Sequence, residues 1–155
     1  MRVLVVYDSK FGNTEKLAQV IAEQLLQRGR LTVTTADKAQ RHMLEEVDLL
    51  VVGGPTQGHG ISRAMRGWLG GLGPGHGIPA AAFDTRFAKP RWLTGSAAKV
   101  IAARLRGLGF DLVADPESFF VARSEGPLLD GEMGRAAGWA DTLAGKLITR
   151  ASFLR

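Results

Sequence analysis

The sequence predicts a three-layer α/β sandwich, a parallel five-stranded sheet with helices on both faces. Three observations carry that expectation. Apolar strand segments and amphipathic helical segments alternate five times, which makes parallel pairing through right-handed crossovers the economical topology. The first and third strand segments are apolar without interruption, as strands covered on both faces must be. Glycine-rich loops fall just after strands, where open parallel sheets gather ligands. Periodicity alone leaves the strand order open.

The elements follow in order. Val3-Leu4-Val5-Val6-Tyr7 is a continuous apolar run and reads as a buried strand. Thr14 to Arg28 places Leu17, Val20, Ile21, Ala22 and Leu25 at helical spacing, with Gly29 as a C-terminal stop. Leu31 to Thr35 is the second strand, and Asp48 to Val52 the third. Ser62 caps a helix carrying Met65, Trp68, Leu69 and Leu72 on one face. Pro79 to Phe83 is a short, alanine-rich fourth strand, and Ser96 to Leu108 a helix with Ala97, Ile101, Leu105 and Leu108 in register. Phe110 to Val121 holds the fifth strand, interrupted near Asp115-Pro116, and Gly131 to Thr149 is the last helix. Trp68 and Trp139 fall on apolar helix faces and are expected in the core.

At 155 residues and 45% apolar, the chain suits one domain with a full core, taken as residues 1–150 with a short tail at 151–155. No run approaches the length of a membrane span. Met1-Arg2 leads straight into a strand that ends at Asp8, so no signal peptide is expected and the cytoplasm is the expected location. The absence of cysteine excludes disulfides, thiolate chemistry and cysteine metal sites. His59 and His76 have no second ligand at metal spacing. Twenty lysines and arginines against fifteen acids give a net charge of +5. A solvated arginine-rich surface and a basic face toward an acidic partner protein both fit that balance. Nucleic acid has no supporting motif.

Two loops carry the unusual chemistry. Ser9-Lys10-Phe11-Gly12-Asn13-Thr14 joins the first strand to the first helix. Amides at a helix N-terminus are unpaired, a glycine lets a phosphate approach, and Ser9 and Thr14 add hydroxyls. An ordinary capped strand–helix turn uses the same residue types, so spacing leaves both readings open. The loop lacks the Gly-Lys-Ser/Thr of a nucleotide P-loop and the three glycines of a dinucleotide turn. Gly53-Gly54-Pro55-Thr56-Gln57-Gly58-His59-Gly60 follows the third strand, and so many glycines are costly unless the backbone needs special dihedrals or a close contact. His59 is either a solvent-exposed loop residue or a contact to a ligand. Trp92 follows Lys89-Pro90-Arg91 without helical period and is read either as stacking on a ligand or as helix packing.

Tyr7 to Glu15 resembles the phosphate loop of the flavodoxin family. Gly54-Pro55-Thr56-Gln57-Gly58 is similar to its second, flavin-flanking loop, and Phe83-Asp84-Thr85 through Trp92 to Ala97 to its third loop and following helix. The last strand and helix match as well, so the likeness covers nearly the whole chain. It implies sheet order 2-1-3-4-5, an uninterrupted fifth-strand region of the short-chain type, and FMN as cofactor. Ser9, Asn13 and Thr14, with the amides of Lys10, Phe11, Gly12, Asn13 and Thr14, would then hold the phosphate. Pro55, Thr56, Gln57 and Gly58 would pass one side of the isoalloxazine. Asp84, Thr85, Arg86 and the segment to Trp92 would meet its pyrimidine edge and other face. Three departures stand out: Gln57 where many relatives carry an aromatic ring, Lys10 and Phe11 where hydroxyl residues are frequent, and a third loop made basic by Arg86, Lys89 and Arg91.

The resemblance implies a monomeric one-electron carrier, more a carrier than an enzyme in its own right. Its partners would be redox proteins, with acidic docking surfaces matching the basic loop, and neither nucleic acid nor membrane. Two alternatives stay open: an FMN-dependent NAD(P)H:quinone-type reductase, and a binding or regulatory module of the same fold that has lost FMN.

Overall fold

In a computed structural model the described residues are 1–153. The strands are β1 (Arg2–Tyr7), β2 (Arg30–Thr35), β3 (Leu49–Pro55), β4 (Pro79–Phe87), β5 (Asp111–Leu112) and β6 (Glu117–Val121). The helices are α1 (Asn13–Leu26), α2 (Arg63–Gly70), the single turn α3 (Arg91–Thr94), α4 (Ala97–Gly107) and α5 (Glu132–Phe153). Every ladder is parallel, in the order β2-β1-β3-β4-β5, with β6 also on β4. The order that the resemblance implied is therefore the one found.

The break expected at Asp115-Pro116 is present. Four residues, Val113 to Pro116, stand opposite two of β4, and the halves on either side both pair with that strand. Pro116 has no N–H to give to a ladder. The fourth strand differs from expectation at its far end. It continues to Phe87, so Asp84, Thr85 and Arg86 are strand residues rather than loop. Residues 151–153, read as tail, continue α5, while Leu154 and Arg155 lie outside the described residues.

Alternation along each strand divides the core in two. Val3, Val5, Leu49 and Val51 face α1 and α5, meeting Leu17, Ile21, Trp139 and Leu143. Leu4, Val6, Leu50 and Val52 face α2 and α4, meeting Met65, Leu69, Ile101 and Leu105. Trp139 is a core residue, packed edge-on with Phe83 and Phe119 at centroid distances of 6.0 and 6.1 Å. Trp68 is only half-buried, against the α2–α4 cluster. Ala80, Ala82, Ala97, Ala98 and Ala102 are buried where β4 meets α4, and their small side chains let helix and sheet approach closely.

The edge of β6 away from β4 is closed by side chains from α5. Glu132 Oε2 accepts the Phe120 N–H at 2.7 Å, Arg135 donates to the Ser118 carbonyl, and the Arg135 guanidinium lies 4.5 Å from the Phe119 ring centroid. An edge strand closed in this way cannot template another chain. Hydrogen bonds from Arg135 and from the Phe120 amide hold the Glu132 carboxyl below its ordinary pKa, and desolvation only partly opposes them. A carboxyl lowered by folding adds stability that is present above its unfolded pKa and is lost as pH falls through the folded value. Glu132→Gln should therefore cost about 1–3 kcal/mol at neutral pH, and the difference from wild type should shrink as the pH falls below the ordinary carboxylate range and the Glu132 carboxyl takes up its proton. Urea unfolding of both proteins across that range measures it.

Candidate functional site

A cleft of about 580 Å³ opens at the carboxyl ends of β1, β3, β4 and β6. Its walls are four segments: Ser9 to Thr14, Pro55 to His59, Thr85 to Thr94, and Val121 to Ser124. Lys10, Arg86 and Lys89 line it, and no carboxylate does among the described residues.

At the start of α1, Gly12 adopts φ 92°, a conformation that side chains rarely tolerate, and turns the chain into the helix. Ser9 Oγ accepts the Gly12 N–H at 3.1 Å and, more weakly, the Glu15 N–H at 3.4 Å. The Ser9 oxygen is thus committed to capping, and its hydroxyl hydrogen is what it can still offer. The amides of Lys10, Phe11, Asn13 and Thr14 make no hydrogen bond among the described residues. Thr14, buried at the cleft floor, shares a 3.1 Å bond between its hydroxyl and that of Thr85.

The start of α4 lies at the same sheet edge and is treated in the opposite way. Ala97 N–H goes to Thr56 Oγ1 at 3.1 Å, Ala98 N–H to Asp84 Oδ2 at 3.0 Å, and Lys99 N–H to Ser96 Oγ at 3.3 Å. Three side chains from three segments close it. Of these two helix starts, α1 is the one that presents open amides to the cleft among the described residues, together with the partial positive charge of a helix start.

The second wall is braced. Gly53 and Gly54 belong to β3, and a Cβ on Gly53 would lie 2.1 Å from the Phe83 ring. The loop proper is a two-residue hairpin. Gln57 and Gly60 exchange N–H···O bonds of 2.9 Å, and Gly58 and His59 both have positive φ, 53° and 67°. His59 Nε2 is 2.8 Å from the Leu93 carbonyl, and Thr56 N–H donates to Thr85 O at 2.9 Å. His59 is therefore an exposed residue that lines the cleft and ties its second wall to its third.

The expected third-loop residues separate. Thr85 points toward α1 and the cleft. Asp84, one position earlier on β4, points the other way; it is fully buried and accepts the Ser96 hydroxyl at 2.6 Å, so its carboxylate holds α4 rather than lining the cleft. Arg86 reaches the wall but is pinned. Its Nε donates to Ser118 Oγ at 2.9 Å, its Nη1 to the Lys89 carbonyl, and it lies 5.1 Å from the Phe120 ring. Burial lowers its pKa, opposed by Asp84 and reinforced by Arg91. Arg91 turns away to Pro116 O and Ser118 Oγ at 2.9 and 3.2 Å. Trp92 is 83% exposed and outside the lining, where Leu93 and Thr94 stand instead. Gly12 also contributes the bend and not surface.

Of the residues expected at a ligand, Ser9, Lys10, Phe11, Asn13, Thr14, Pro55, Thr56, Gln57, Gly58, Thr85 and Arg86 come together around the cleft. Phe87, inside the expected segment to Trp92, lines it as well, and Leu93, Thr94, Val121 and Ser124 complete it without having been expected. The rule that ligands gather at carboxyl strand ends applies equally to β6 and points to Val121 and Ser124. Nothing in the composition of Ala122-Arg123-Ser124-Glu125 does.

Comparison with known proteins agrees with this architecture. Residues 4–70 match the flavodoxin domain family. A rubredoxin-oxygen oxidoreductase of Megalodesulfovibrio gigas is 32% identical over 123 residues, 74% of this chain and 29% of the relative. A flavodoxin of Clostridium saccharobutylicum is 32% identical over 71 residues, 44% of each. The chain thus spans less than half the length of these curated relatives. Among solved structures, an archaeal flavodoxin superposes with a TM-score of 0.78 at 22% identity, covering 95% of this chain and 99% of that one. The rubredoxin:oxygen oxidoreductase structure from Desulfovibrio gigas gives 0.75 at 24% identity, covering 97% and 37%. With its Ser9 to Thr14 loop, its 2-1-3-4-5 sheet and these likenesses, the chain is a flavodoxin-family domain.

Proposed function

We propose that this domain binds FMN in the cleft and carries electrons one at a time between redox proteins. The observation that supports this most is the set of open amides of Lys10, Phe11, Asn13 and Thr14 at the start of α1, beside a cleft that holds cations and, among the described residues, no carboxylate. A phosphate monoester needs just such donors. In this reading those amides, with the hydroxyls of Thr14 and Ser9, hold the phosphate. The braced hairpin at Gln57 and Gly58 and the apolar Phe87 and Leu93 enclose the ring. Bound FMN supplies the redox chemistry, and the protein supplies orientation and electrostatics. Gln57 takes the place of a stacking ring, and its backbone bonds to Gly60 keep that wall rigid without one.

Purified protein is expected to be yellow. It should hold FMN at least about a hundredfold more tightly than riboflavin, since each charge-assisted hydrogen bond contributes about 1.5–3 kcal/mol. Fluorescence quenching measures both constants, and equal values would reduce the first loop to a helix cap. Stopped-flow mixing of the holoprotein with NADPH separates a carrier, reduced slowly, from a reductase, reduced rapidly. Trp92→Ala should leave FMN affinity within about twofold and unfolding free energy within about 0.5 kcal/mol, because Trp92 stands outside the cleft. A large loss of FMN affinity in that variant would return the ring to the flavin.

A further inference from the structure

The net charge of +5 hides a division. Residues 49–110 hold eight lysines and arginines and a single acid, Asp84, while the rest of the chain holds twelve against fourteen. Asp84 is fully buried. Of the eight cations, Arg86 and Arg91 turn inward, and six are exposed: Arg63, Arg66, Lys89, Lys99, Arg104 and Arg106. None of the six forms an ion pair among the described residues. The segment builds much of one side of the molecule, because α2 and α4 cover the same sheet face and the third wall of the cleft continues it; residues 39–47 complete that side and bring the exposed Glu45 and Glu46. The opposite layer, α1 and α5, mixes Glu15, Glu23 and Asp141 with Lys16 and Lys146. Beside Lys89, at the cleft wall, Trp92 and Leu93 are 83% and 50% exposed.

We propose that this acid-free face, from α2 and α4 to the Lys89–Leu93 segment, is the docking surface for an electron-transfer protein with an acidic surface. The inference rests on the electron-carrier reading of the cleft. An exposed aromatic anchor set among unpaired cations is how protein interfaces concentrate binding energy. One-sided charge orients an incoming partner before contact. The anchor adjoins the cleft wall, so a partner seated on it stands next to the site. A nucleic acid would favour aromatic residues spaced among the cations as stacking platforms, and the face has one.

The test uses the FMN-loaded protein, photoreduced with EDTA as electron donor, and two forms of one acceptor. Native cytochrome c is basic, and succinylated cytochrome c is acidic with the same haem. In each reaction one electron leaves the reduced flavin and converts ferric haem to ferrous. At about 10 mM ionic strength the acidic form should react at least about tenfold faster, and the advantage should vanish near 1 M. Arg63→Glu combined with Lys99→Glu should cut the acidic form's rate about fivefold or more at low salt without changing FMN affinity. Trp92→Ala should slow it at both salt concentrations. A faster reaction with native cytochrome c at low salt, or an unaffected charge-reversal variant, overturns the docking surface and leaves the carrier reading standing. Inhibition by duplex DNA at about 0.15 M ionic strength, with no preference between the cytochromes, overturns it in favour of a nucleic-acid face. Reduction of neither cytochrome by the loaded protein removes the carrier reading and this inference together.

Discussion

Amides at the start of an α-helix find no partner inside it, and buried ones must find a partner elsewhere. Two helix starts meet at the carboxyl edge of this sheet, and the rest of the site depends on how each meets that requirement. At α4 the need is met by Thr56 from the second loop, Asp84 from β4 and Ser96 at the cap itself. Each of those contacts also fixes the segment that supplies it. At α1 it is met only in part, by Ser9, and four amides remain open beside the cleft. One terminus is closed into the scaffold and the other stays open to the cleft.

That division explains why a fully buried carboxylate is tolerated at Asp84. Burying an ion is costly unless its oxygens are well partnered. Here Oδ2 takes the Ser96 hydroxyl and the Ala98 amide at the positive end of a helix, while Oδ1 has no partner among the described residues. The gain is positional. With α4 locked to β4, Thr85 is presented on the other side of the strand, where it meets Thr14 across the cleft floor. The same logic governs His59, whose ring reaches the Leu93 carbonyl and joins two walls that sequence separates by more than thirty residues.

The layers of the fold were legible in the sequence because unbroken apolar strands and helices of 3.6-residue period leave little choice of topology. The strand order came from resemblance, since periodicity says nothing of neighbours. The position of the first loop at a helix start was legible because capping chemistry is local. The third was not. Asp84 and Thr85 read alike as polar residues after a strand, but β4 runs on to Phe87, and alternation sends one to the scaffold and the other to the cleft. Arg86 and Arg91 read as free cations near a ligand, yet both are drawn to Ser118, the first also to nearby carbonyls and the second to the carbonyl of Pro116. Trp92 reads either as a stacking ring or as helix packing, and a single helical turn, α3, leaves it exposed and outside while Leu93 and Thr94 line the wall. Each miss turns on which way a side chain points, which residue type and spacing do not encode.

Charge shows the same lesson from the other direction. A loop rich in arginine suggests a strong local field at a bound cofactor. The structure reduces that field, because Arg86 donates into carbonyls and hydroxyls and Arg91 faces β6. A guanidinium held by neutral acceptors keeps its charge but holds it at a fixed distance, as part of the wall rather than as a mobile counter-ion. Among the cations of residues 49–110, those free to act at range are on the outer surface of α2 and α4 and at Lys89. Over such distances the field matters only when charges of one sign accumulate, and the lack of an exposed acid between Asp48 and Asp111 lets them do so. The basic character visible in the sequence therefore acts at the protein's surface more than at its cleft.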